Sequence, residues 1–533
     1  MATLDFKGKA LVQNYHLSVK YHELVPKRDR SLTDKVRLDD NLIIHGDNLK
    51  ALKALLPTYA GRVKCIYIDP PYNTGNEGWA YNDNVNSPMM QEWLGKVVDN
   101  DDLTRHDKWL CMISPRLKLL RELLAEDGAI FVSMDDSEAA HLRCLMDEIF
   151  GEGNFIADIL WQKRTSPDAR LVFSDAHEHI YCFAKNHERL AFNKVPQSEG
   201  QRAAFKNPDN DPRGPWVSSD YTAQGFRPNQ MYEITTPSGR KVKPPSGTCW
   251  KNVEEVLLKL VSDNRIWFGK DGNGMPRRKT FLSESDGISP WTWWANDDVG
   301  HTQEAKKEIL DVFGKQDIFD TPKPVRLVQR ILQIATSTDS LILDSFAGSG
   351  TTAHAVLALN KEDGGNRKFI LVECEDYADS ITAERVRRVI KGVKGASDEH
   401  LKKGLGGTFS YFELGKAIEL DSILDGKNLP SYLELARYVF YTATGEEFDE
   451  RKVNEKRLFV GESKTHEVYL FYQPDMDYLK KTALTLERAE SLGKMKDKRR
   501  LVFAPTKYLD QEQLDALRID FAQLPFEIYK LAQ

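Results

Sequence analysis

The feature that most constrains the fold is an alternation of short apolar segments with amphipathic ones in two separate blocks of the chain. In the first block, residues 41–188, LIIHGD and VKCIYIDPPY are typical of strands, and NLKALKALLPTYAG between them has helical spacing. The second block, residues 316–395, contains helical VRLVQRILQIAT, strand-like SLILDSFAGSG, helical TTAHAVLALNK and strand-like RKFILVECE. Because strands that alternate with helices usually pair in parallel, the sequence predicts an α/β fold with helices on both faces of a sheet.

The rest of the chain differs from these two blocks in composition and in hydrophobic periodicity. Residues 189–315, which separate the two blocks, are rich in Pro, Gly, Asn and Trp and show weak helical periodicity, so we expect a separately folded, loop-rich insert. Residues 1–40 are charged and mixed, which indicates an arm or an irregular helical lead-in. Residues 396–533 mix strands and helices without a nameable motif, so we expect an α+β extension that is a candidate for dimer or partner contacts.

Bulk composition excludes several classes of protein. The chain has 533 residues, more than one core normally serves, and no apolar run reaches membrane-spanning length. Its first residues lack the apolar core of a signal peptide, so we expect a cytoplasmic protein with no membrane association. The six cysteines form no CxxC pair and the histidines no cluster at metal spacing, so no metal site is expected. The net charge of −6 does not by itself indicate a nucleic-acid partner. The net charge of the whole chain would not reveal a basic cleft, however, because it takes no account of how the charges are distributed.

A glycine turn follows the strand LILD in the second block. Gly348 and Gly350 allow the backbone to pass close to a bound cofactor, and the helix that follows offers unpaired N–H groups. Glu373 ends the next strand, where a carboxylate can accept both hydroxyls of a ribose. A tight turn in any α/β protein would look the same, so this motif alone does not establish a cofactor site.

A second turn, Asp69-Pro70-Pro71-Tyr72, directly follows the strand KCIYI of the first block. The prolines pre-shape the turn, and Pro71 has no N–H with which to extend a strand. Asp69 and the carbonyl of Pro70 supply acceptors, and Tyr72 supplies a flat face, so the turn is suited to a planar molecule that bears an NH₂ group. The alternative is a purely structural Asp-Pro turn.

Taken together, DPPY and FAGSG resemble the catalytic and cofactor motifs of the amino-DNA methyltransferases. The order of the two motifs, with a long insert between them, is similar to the beta class of that family. The resemblance implies a circularly permuted, Rossmann-like methyltransferase sheet that uses S-adenosylmethionine, with a target-recognition domain in the insert. The stretch DPPYNTGNEGWAYND, the chain length and the carboxy-terminal extension are similar, more narrowly, to the modification (Mod) subunits of type III restriction–modification systems.

The resemblance also extends to two neighbouring stretches. In IIHGDNLKAL, the acid Asp47 would lie near the adenine of the cofactor, and in DTPKPVRLVQRIL, Lys323 and Pro324 would lie beside its methionine end. The predicted catalytic residues are Asp69, Pro70, Pro71 and Tyr72. The predicted cofactor-binding residues are Asp47, Asp69, Lys323, Pro324, Asp344, Phe346, Gly348, Gly350, Thr351 and Glu373.

The chemistry that these residues predict is transfer of a methyl group to N6 of an adenine flipped out of double-stranded DNA. Tyr72 would stack on the base, and Asp69 and the Pro70 carbonyl would accept its two amine hydrogens. The chain has no Pro-Cys pair, which argues against methylation of cytosine C5. N4-cytosine methylation, methylation of RNA or of a protein glutamine, and a catalytically silent DNA-binding subunit remain as alternatives; aspartate before Pro-Pro favours adenine in this family.

Recognition of DNA sequence is expected to lie in the insert, which mixes basic residues with aromatic residues and Pro-Gly turns. The candidate DNA-binding residues are Arg240, Lys241, Lys243, Arg277, Arg278 and Lys279. Solvated loop charge is the alternative for each of them. Trp291, Trp293 and Trp294 could form a stacking surface, but packed core is favoured. The sequence has no helicase or nuclease signature, so a restriction activity would have to come from another subunit, and a homodimer is expected.

Overall fold

The computed structural model describes residues 3–74, 105–168, 170, 172–197, 199–315, 318–417, 429–492 and 497–524. The chain forms two compact units, one made of Met1–Phe192 with Trp291–Gln533 and the other of Asn193–Pro290. Residues 75–104, which include the later part of DPPYNTGNEGWAYND, lie outside the described residues.

The amino-terminal part of the chain, up to residue 188, forms strands and helices, and those of the first block lie close to the ones that its pattern predicts. Its strands are β1 (His22–Pro26), β2 (Leu42–His45), β3 (Val63–Ile68), β4 (Leu124–Met134), β5 (Phe155–Gln162) and β6 (His177–Ala184). Its helices are α1 (Lys9–Val12), α2 (Tyr15–Ser18), α3 (Asn48–Tyr59), α4 (Arg105–Leu123) and α5 (Ala139–Phe150). Helix α3 begins at Asn48 because the Asp47 side chain accepts the backbone N–H of Lys50, which satisfies a donor of the first turn.

The second unit, Asn193–Pro290, has short strands around a small core. Its strands are β7 (Trp216–Asp220), β8 (Thr222–Gln224), β9 (Ile234–Thr235), β10 (Lys241–Val242), β11 (Thr248–Trp250), β12 (Ile266–Trp267) and β13 (Arg277–Phe281). Its helices are α6 (Glu199–Ala203) and α7 (Glu254–Ser262). Strands β12, β13 and β7 form one antiparallel sheet, and Tyr221, Trp250 and Leu257 pack in the buried core.

The chain from residue 291 to 417, which contains the second block, returns to the α/β pattern within the first unit. Its strands are β14 (Trp293–Trp294), β15 (Leu341–Asp344), β16 (Lys368–Glu373) and β17 (Ser410–Ala417). Its helices are α8 (Asn296–Val299), α9 (Thr302–Phe313), α10 (Val325–Ala335), α11 (Thr351–Asp363), α12 (Glu384–Lys391) and α13 (Glu399–Lys403).

The two blocks combine in one ten-stranded sheet within the described residues, in the order β1-β17-β2-β16-β15-β3-β4-β6-β5-β14. Strands β2, β16, β15, β3 and β4 are parallel, whereas β6 runs antiparallel between β4 and β5. Strand β15, which precedes the glycine turn, pairs directly with β3, which precedes the DPPY turn, with Leu343 opposite Ile66. The chain order is therefore permuted, while both turns leave the carboxyl ends of adjacent central strands, where ligands of α/β sheets bind.

The remaining described residues form a second, smaller sheet in the first unit. Its strands, β18 (Phe459–Glu462), β19 (His466–Leu470), β20 (Arg499–Ala504) and β21 (Ile519–Gln523), are hydrogen-bonded in that order. The helices of this region are α14 (Tyr432–Thr444), α15 (Met476–Lys481), α16 (Leu486–Ser491) and α17 (Gln511–Ala516). In the part of the chain that the structure describes, no helix has both the length and the apolarity to span a membrane.

Three expected boundaries are corrected by this arrangement. The arm at 1–40 contains β1, which pairs with β17 at the edge of the large sheet. The insert ends at Pro290 and not at 315, since β14 pairs with β5 and Trp294 is buried. The extension expected from 396 contains α13 and then β17, which joins the large sheet between β1 and β2. Short strands at or beside the edge of a sheet carry too little periodicity to be identified from the sequence alone.

Candidate active site

A cavity of about 860 Å³ lies at the carboxyl ends of β3 and β15. Both turns line it, so the structure brings together most of the residues that the sequence singled out. Those residues are Asp69, Pro70, Pro71, Tyr72, Lys323, Asp344, Phe346, Gly348 and Thr351. Asp47, Pro324, Gly350 and Glu373 are not among its lining residues.

The DPPY turn is held from behind by α4. The indole N–H of Trp109, which is fully buried, donates to the carbonyl of Pro71 at 2.7 Å. The next residue, Asn73, has a left-handed backbone with φ of 59° and donates from its side-chain amide to the carbonyl of Arg105 at 3.2 Å. Asparagine is among the few residues that adopt this conformation readily, so it suits the end of the turn. These contacts fix where Asp69 and Tyr72 point.

A cluster of buried charges forms the floor of the cavity. The Lys323 ammonium donates to both carboxylate oxygens of Asp69 at 2.7 Å and to the Tyr72 hydroxyl at 2.8 Å. Lys323 retains 9% side-chain exposure and Asp69 25%, and both residues line the cavity. The Lys323 ammonium also lies 5.0 Å from the centre of the Tyr72 ring.

Glu178 of β6 belongs to the same cluster, although no motif marks it in the sequence. Its carboxylate lies 2.9 Å from the Tyr72 hydroxyl and 3.4 Å from the Lys323 ammonium. The Tyr72 hydroxyl lies 2.6 Å from Asp69 as well, and with one proton it can donate to only one of these carboxylates at a time. Lys163, which is 3.5 Å from Glu178, supplies a second cation on that side.

The cluster shifts the protonation of its members. Burial raises the pKa of Asp69 above its usual value, against the opposing effect of Lys323. Burial alone would lower the pKa of Lys323, but the charges of Asp69 and Glu178 outweigh it and raise that pKa. Burial would raise the pKa of Glu178, but Lys323 and Lys163 outweigh it and lower that pKa. Lys323 is therefore a cation, and Glu178 an anion, at neutral pH.

The glycine turn is braced by side chains at both of its ends. Asp344 accepts the backbone N–H of Phe346 at 3.0 Å and the hydroxyl of Thr352 at 2.5 Å. Burial raises the pKa of Asp344 to about 7. Gly350 has φ of +81°, and a Cβ there would lie 3.0 Å from the carbonyl oxygen of Thr382, so glycine is required for both backbone and space.

A hydroxyl links this turn to the charged cluster. Thr351 donates to the carbonyl of Lys323 at 3.1 Å and accepts from the guanidinium of Arg385 at 2.8 Å. Arg385 is fully buried and also donates to Ser349 at 2.8 Å. No local signal predicts the role of Arg385, because an arginine in the helical pattern ERVRRVIK gives no indication of burial.

Two residues that are predicted to contact a cofactor also make structural contacts within the protein. Asp47 caps α3 and lies 3.4 Å from the Arg116 guanidinium. Glu373 accepts the backbone N–H of Gly348 at 2.7 Å and that of Cys374 at 2.9 Å, and is almost completely buried. Glu373 thus holds the glycine turn in place.

Two His–carboxylate clusters were not expected from the sequence. His106, Glu138 and His141 place one ligand atom each within 4.8 Å of one another, as do Asp136, His177 and His179. In the first cluster, Glu138 lies 2.7 Å from Nδ1 of His106 and 2.9 Å from Nδ1 of His141. Both distances are those of hydrogen bonds, which satisfy the buried carboxylate.

The basic residues of the second unit differ sharply in their environments. Lys279 is corrected from a candidate DNA contact to a core residue, since its side chain is buried and paired with Asp209 and Asp211. Arg277 is paired with Asp220, and both Lys241 and Lys243 lie near Glu233. Arg240 and Arg278 are exposed.

The tryptophans after this unit are also divided. Trp294 is buried at 2% exposure, as packed core would be, whereas Trp291 is 72% and Trp293 48% exposed. The prediction that these tryptophans pack in the core is therefore correct for Trp294 and wrong for Trp291 and Trp293.

The family comparison agrees with this geometry. The N6/N4 methyltransferase family, described as DNA methylase, matches residues 63–384, a span that contains the DPPY turn, the insert and the glycine turn. The chain therefore belongs to the N6/N4 DNA methylase family.

Individual relatives fall into two types of system. The chain is 36% identical over 425 residues to the Mod subunit of the type III restriction-modification enzyme StyLTI of Salmonella typhimurium, covering 73% of this chain and 63% of that subunit. It is 33% identical over 419 residues to the EcoPI Mod subunit of Escherichia phage P1, covering 68% and 64%. It is 33% identical over 352 residues to the type II methyltransferase M.KpnI of Klebsiella pneumoniae, covering 62% and 79%. The chain thus spans slightly less than two thirds of the two Mod subunits.

The contrast between Lys279 and Arg278, neighbours on β13, is testable. We expect Lys279→Met to lower the free energy of unfolding by about 3 kcal/mol, because it leaves the Asp209 carboxylate without its cation, whereas Asp211 keeps Arg213. The matched control Arg278→Ala, at an exposed position, should change it by about 0.5 kcal/mol or less. Urea denaturation followed by tryptophan fluorescence measures both. Small and equal effects would contradict the buried placement of Lys279.

Proposed function

We propose that the chain transfers the methyl group of S-adenosylmethionine to N6 of an adenine flipped out of double-stranded DNA. The observation that carries this proposal is the single cavity lined by both Asp69–Tyr72 and the turn at Phe346–Gly348. A methyl donor bound at one turn and an amine bound at the other would be held next to each other in this cavity. Catalysis by positioning depends on that proximity.

The hydrogen-bond capacity of the DPPY turn supports the grip on an amine. An ionised aspartate accepts about four hydrogen bonds, and Lys323 and Tyr72 account for three at Asp69. One acceptor site remains for the first amine hydrogen, and the carbonyl of Pro70 serves the second. With both hydrogens held, the nitrogen lone pair leaves the ring system and turns toward the methyl donor.

The environment of Tyr72 fits a stacked base. Its hydroxyl is anchored by Lys323, Asp69 and Glu178, so the ring is fixed before a base arrives. The Lys323 ammonium lies 2.8 Å from the hydroxyl and 5.0 Å from the ring centre, so it holds the ring at its hydroxyl end, and a base would stack on a face of the ring. Stacking of a base on an aromatic side chain contributes about 1–3 kcal/mol.

The glycine turn fits the cofactor. Gly348 lines the cavity, as do Thr351 and Thr352 in the first turn of α11, where backbone N–H groups have no partner within the helix. Phe346, Gly348 and Thr351 line the cavity and would hold the methionyl and ribose parts, with Asp344 as the acidic group beside them. When bound, S-adenosylmethionine supplies an activated methyl group on a sulfonium. The chain supplies position and a negative field for the positive charge that grows on the amine nitrogen.

The relatives support a place in a restriction–modification system. We propose a Mod subunit of a type III system, because two relatives of that name match 68–73% of this chain. In that role the chain would act with a separate restriction subunit, and the sheet β18–β21 would be the surface for that subunit or for a second copy. The match to M.KpnI, of which 79% is covered, supports a type II methyltransferase as the alternative, and a solitary adenine methyltransferase is a further one.

The role of Asp69 gives the first test. We expect Asp69→Ala to reduce transfer of labelled methyl groups to duplex DNA by about 100-fold or more, since an acceptor that acts in the transition state is lost. Binding of S-adenosylmethionine, measured by equilibrium dialysis, should persist. Asp39→Ala, at a side chain that is 73% exposed, is the matched control and should keep the parent rate.

The product nucleoside decides the target base. Digestion of the labelled DNA should release N6-methyladenine. Release of N4-methylcytosine instead would show that cytosine is the target. Near-parental activity of Asp69→Ala would contradict the proposed mechanism.

The pKa of Asp344, which burial raises to about 7, predicts how cofactor binding depends on pH. The carboxyl is mostly neutral at pH 6 and mostly ionised at pH 8, and the ionised form attracts the sulfonium cation. Affinity for S-adenosylmethionine should therefore rise by about tenfold at most across this range. Titrations at matched pH should show a smaller rise in Asp344→Asn. The same pH dependence in both proteins would show that another group is responsible.

A further inference from the structure

The loop between β5 and β6, residues 163–176, exposes two adjacent apolar side chains. Val172 is 98% and Phe173 92% exposed, which makes them the most exposed large apolar side chains among the described residues. Single exposed apolar residues are common, but two adjacent exposed apolar side chains on a loop beside a cavity indicate a surface that binds a partner.

The position of this loop ties it to the cavity. Lys163, Arg164 and Asp168 on its first arm, and Asp175 on its second, line the cavity together with Asp69 and Tyr72. Val172 and Phe173 lie between these arms and do not line it. The loop therefore borders the mouth of the cavity with its arms and presents its tip to solvent.

Hydrogen bonds shape the loop in advance. The backbone N–H of Lys163 donates to the carbonyl of Ala176 at 2.9 Å and closes the base of the loop. Nearer the tip, the backbone N–H of Asp168 donates to the hydroxyl of Ser174 at 2.8 Å. A tip that is closed before binding loses less conformational freedom when it enters a partner.

The loop has a small excess of basic residues, of which Lys163 is paired with Asp175 at 2.6 Å. The sequence KRTSPDARLVFSDA carries three basic and two acidic residues. Arg164 is exposed, and Arg170 is exposed while its guanidinium pairs with Asp168 at 2.7 Å. Basic groups that flank an apolar tip can contact phosphates on either side of the site where the tip inserts.

We propose that Phe173, with Val172, inserts into the base stack of duplex DNA at the step that the target adenine leaves. This inference rests on the proposed function and assigns to these two side chains the opening of the duplex that base flipping requires. Flipping removes a base from the stack and leaves a gap, and apolar side chains that enter such a gap compensate for the lost stacking. The tip stands next to the cavity that receives the base, so one approach of the protein fills the gap and captures the adenine.

The test uses the duplex sequence that methylated-DNA sequencing identifies in cells expressing the chain. One oligonucleotide carries 2-aminopurine at the target position, whose fluorescence rises when the base leaves the stack. A second carries adenine in a fully paired duplex, and a third carries adenine opposite an abasic site, where the base is already unpaired.

Phe173→Ala should reduce the 2-aminopurine signal and slow single-turnover methylation of the paired duplex by about tenfold to a hundredfold, the factor that stacking is worth. Its rate on the abasic duplex should return to within about threefold of the parent, since flipping there costs little. Phe173→Trp should keep most of the parent rate. Tyr508→Ala, which removes an aromatic side chain that is 76% exposed and does not line the cavity, is the matched control and should change neither rate.

The outcomes separate this inference from the function on which it rests. Parental rates for Phe173→Ala on both duplexes, or an equal loss on both, would overturn the insertion while leaving the methyltransferase intact. Failure of the parent protein to methylate any duplex would overturn the proposed function itself, and the insertion with it.

Discussion

The ion pair between the Lys323 ammonium and the Asp69 carboxylate is the interaction on which the site depends. It joins two groups that are 254 residues apart in the chain, because Asp69 belongs to the first block and Lys323 to the second. Either charge, left alone at this depth, would carry a desolvation penalty of several kcal/mol, so each needs the other. Glu178 and Tyr72 complete the pairing, and together the four groups hold the DPPY turn in one geometry.

The sheet makes that pairing possible despite the permuted order of the chain. A parallel sheet depends on which strands are neighbours and not on the order in which the chain supplies them. Since β3 and β15 are adjacent, the turns that follow them open into one crevice, and the chain between them can leave to form a separate unit. Thr351 adds a second link between the turns through the Lys323 carbonyl.

Much of this could be predicted from local patterns, and the reasons for the exceptions are physical. The strands before Asp69 and before Gly348 were identified because apolar runs that end in special turn residues are local signals. Glu178, Arg385 and the burial of Lys279 were missed, since a charged residue is buried only when a distant partner meets it, and that partner is not visible in a local window. Lys323 was expected beside a cofactor, and its place in the cluster with Asp69 depends on the tertiary structure in the same way. The edge strands β1 and β14, and β17 beside the edge, owe their pairing to neighbours that are remote in sequence.

The most direct test of the central claim is a crystal structure of the chain with duplex DNA and an unreactive analogue of S-adenosylmethionine. The account predicts the analogue against the glycine turn and a flipped adenine against Asp69 and Tyr72. The amine nitrogen should lie about 3–3.5 Å from the position of the transferable methyl group. An analogue bound outside this cavity, or a target base held by residues remote from Asp69, would contradict it.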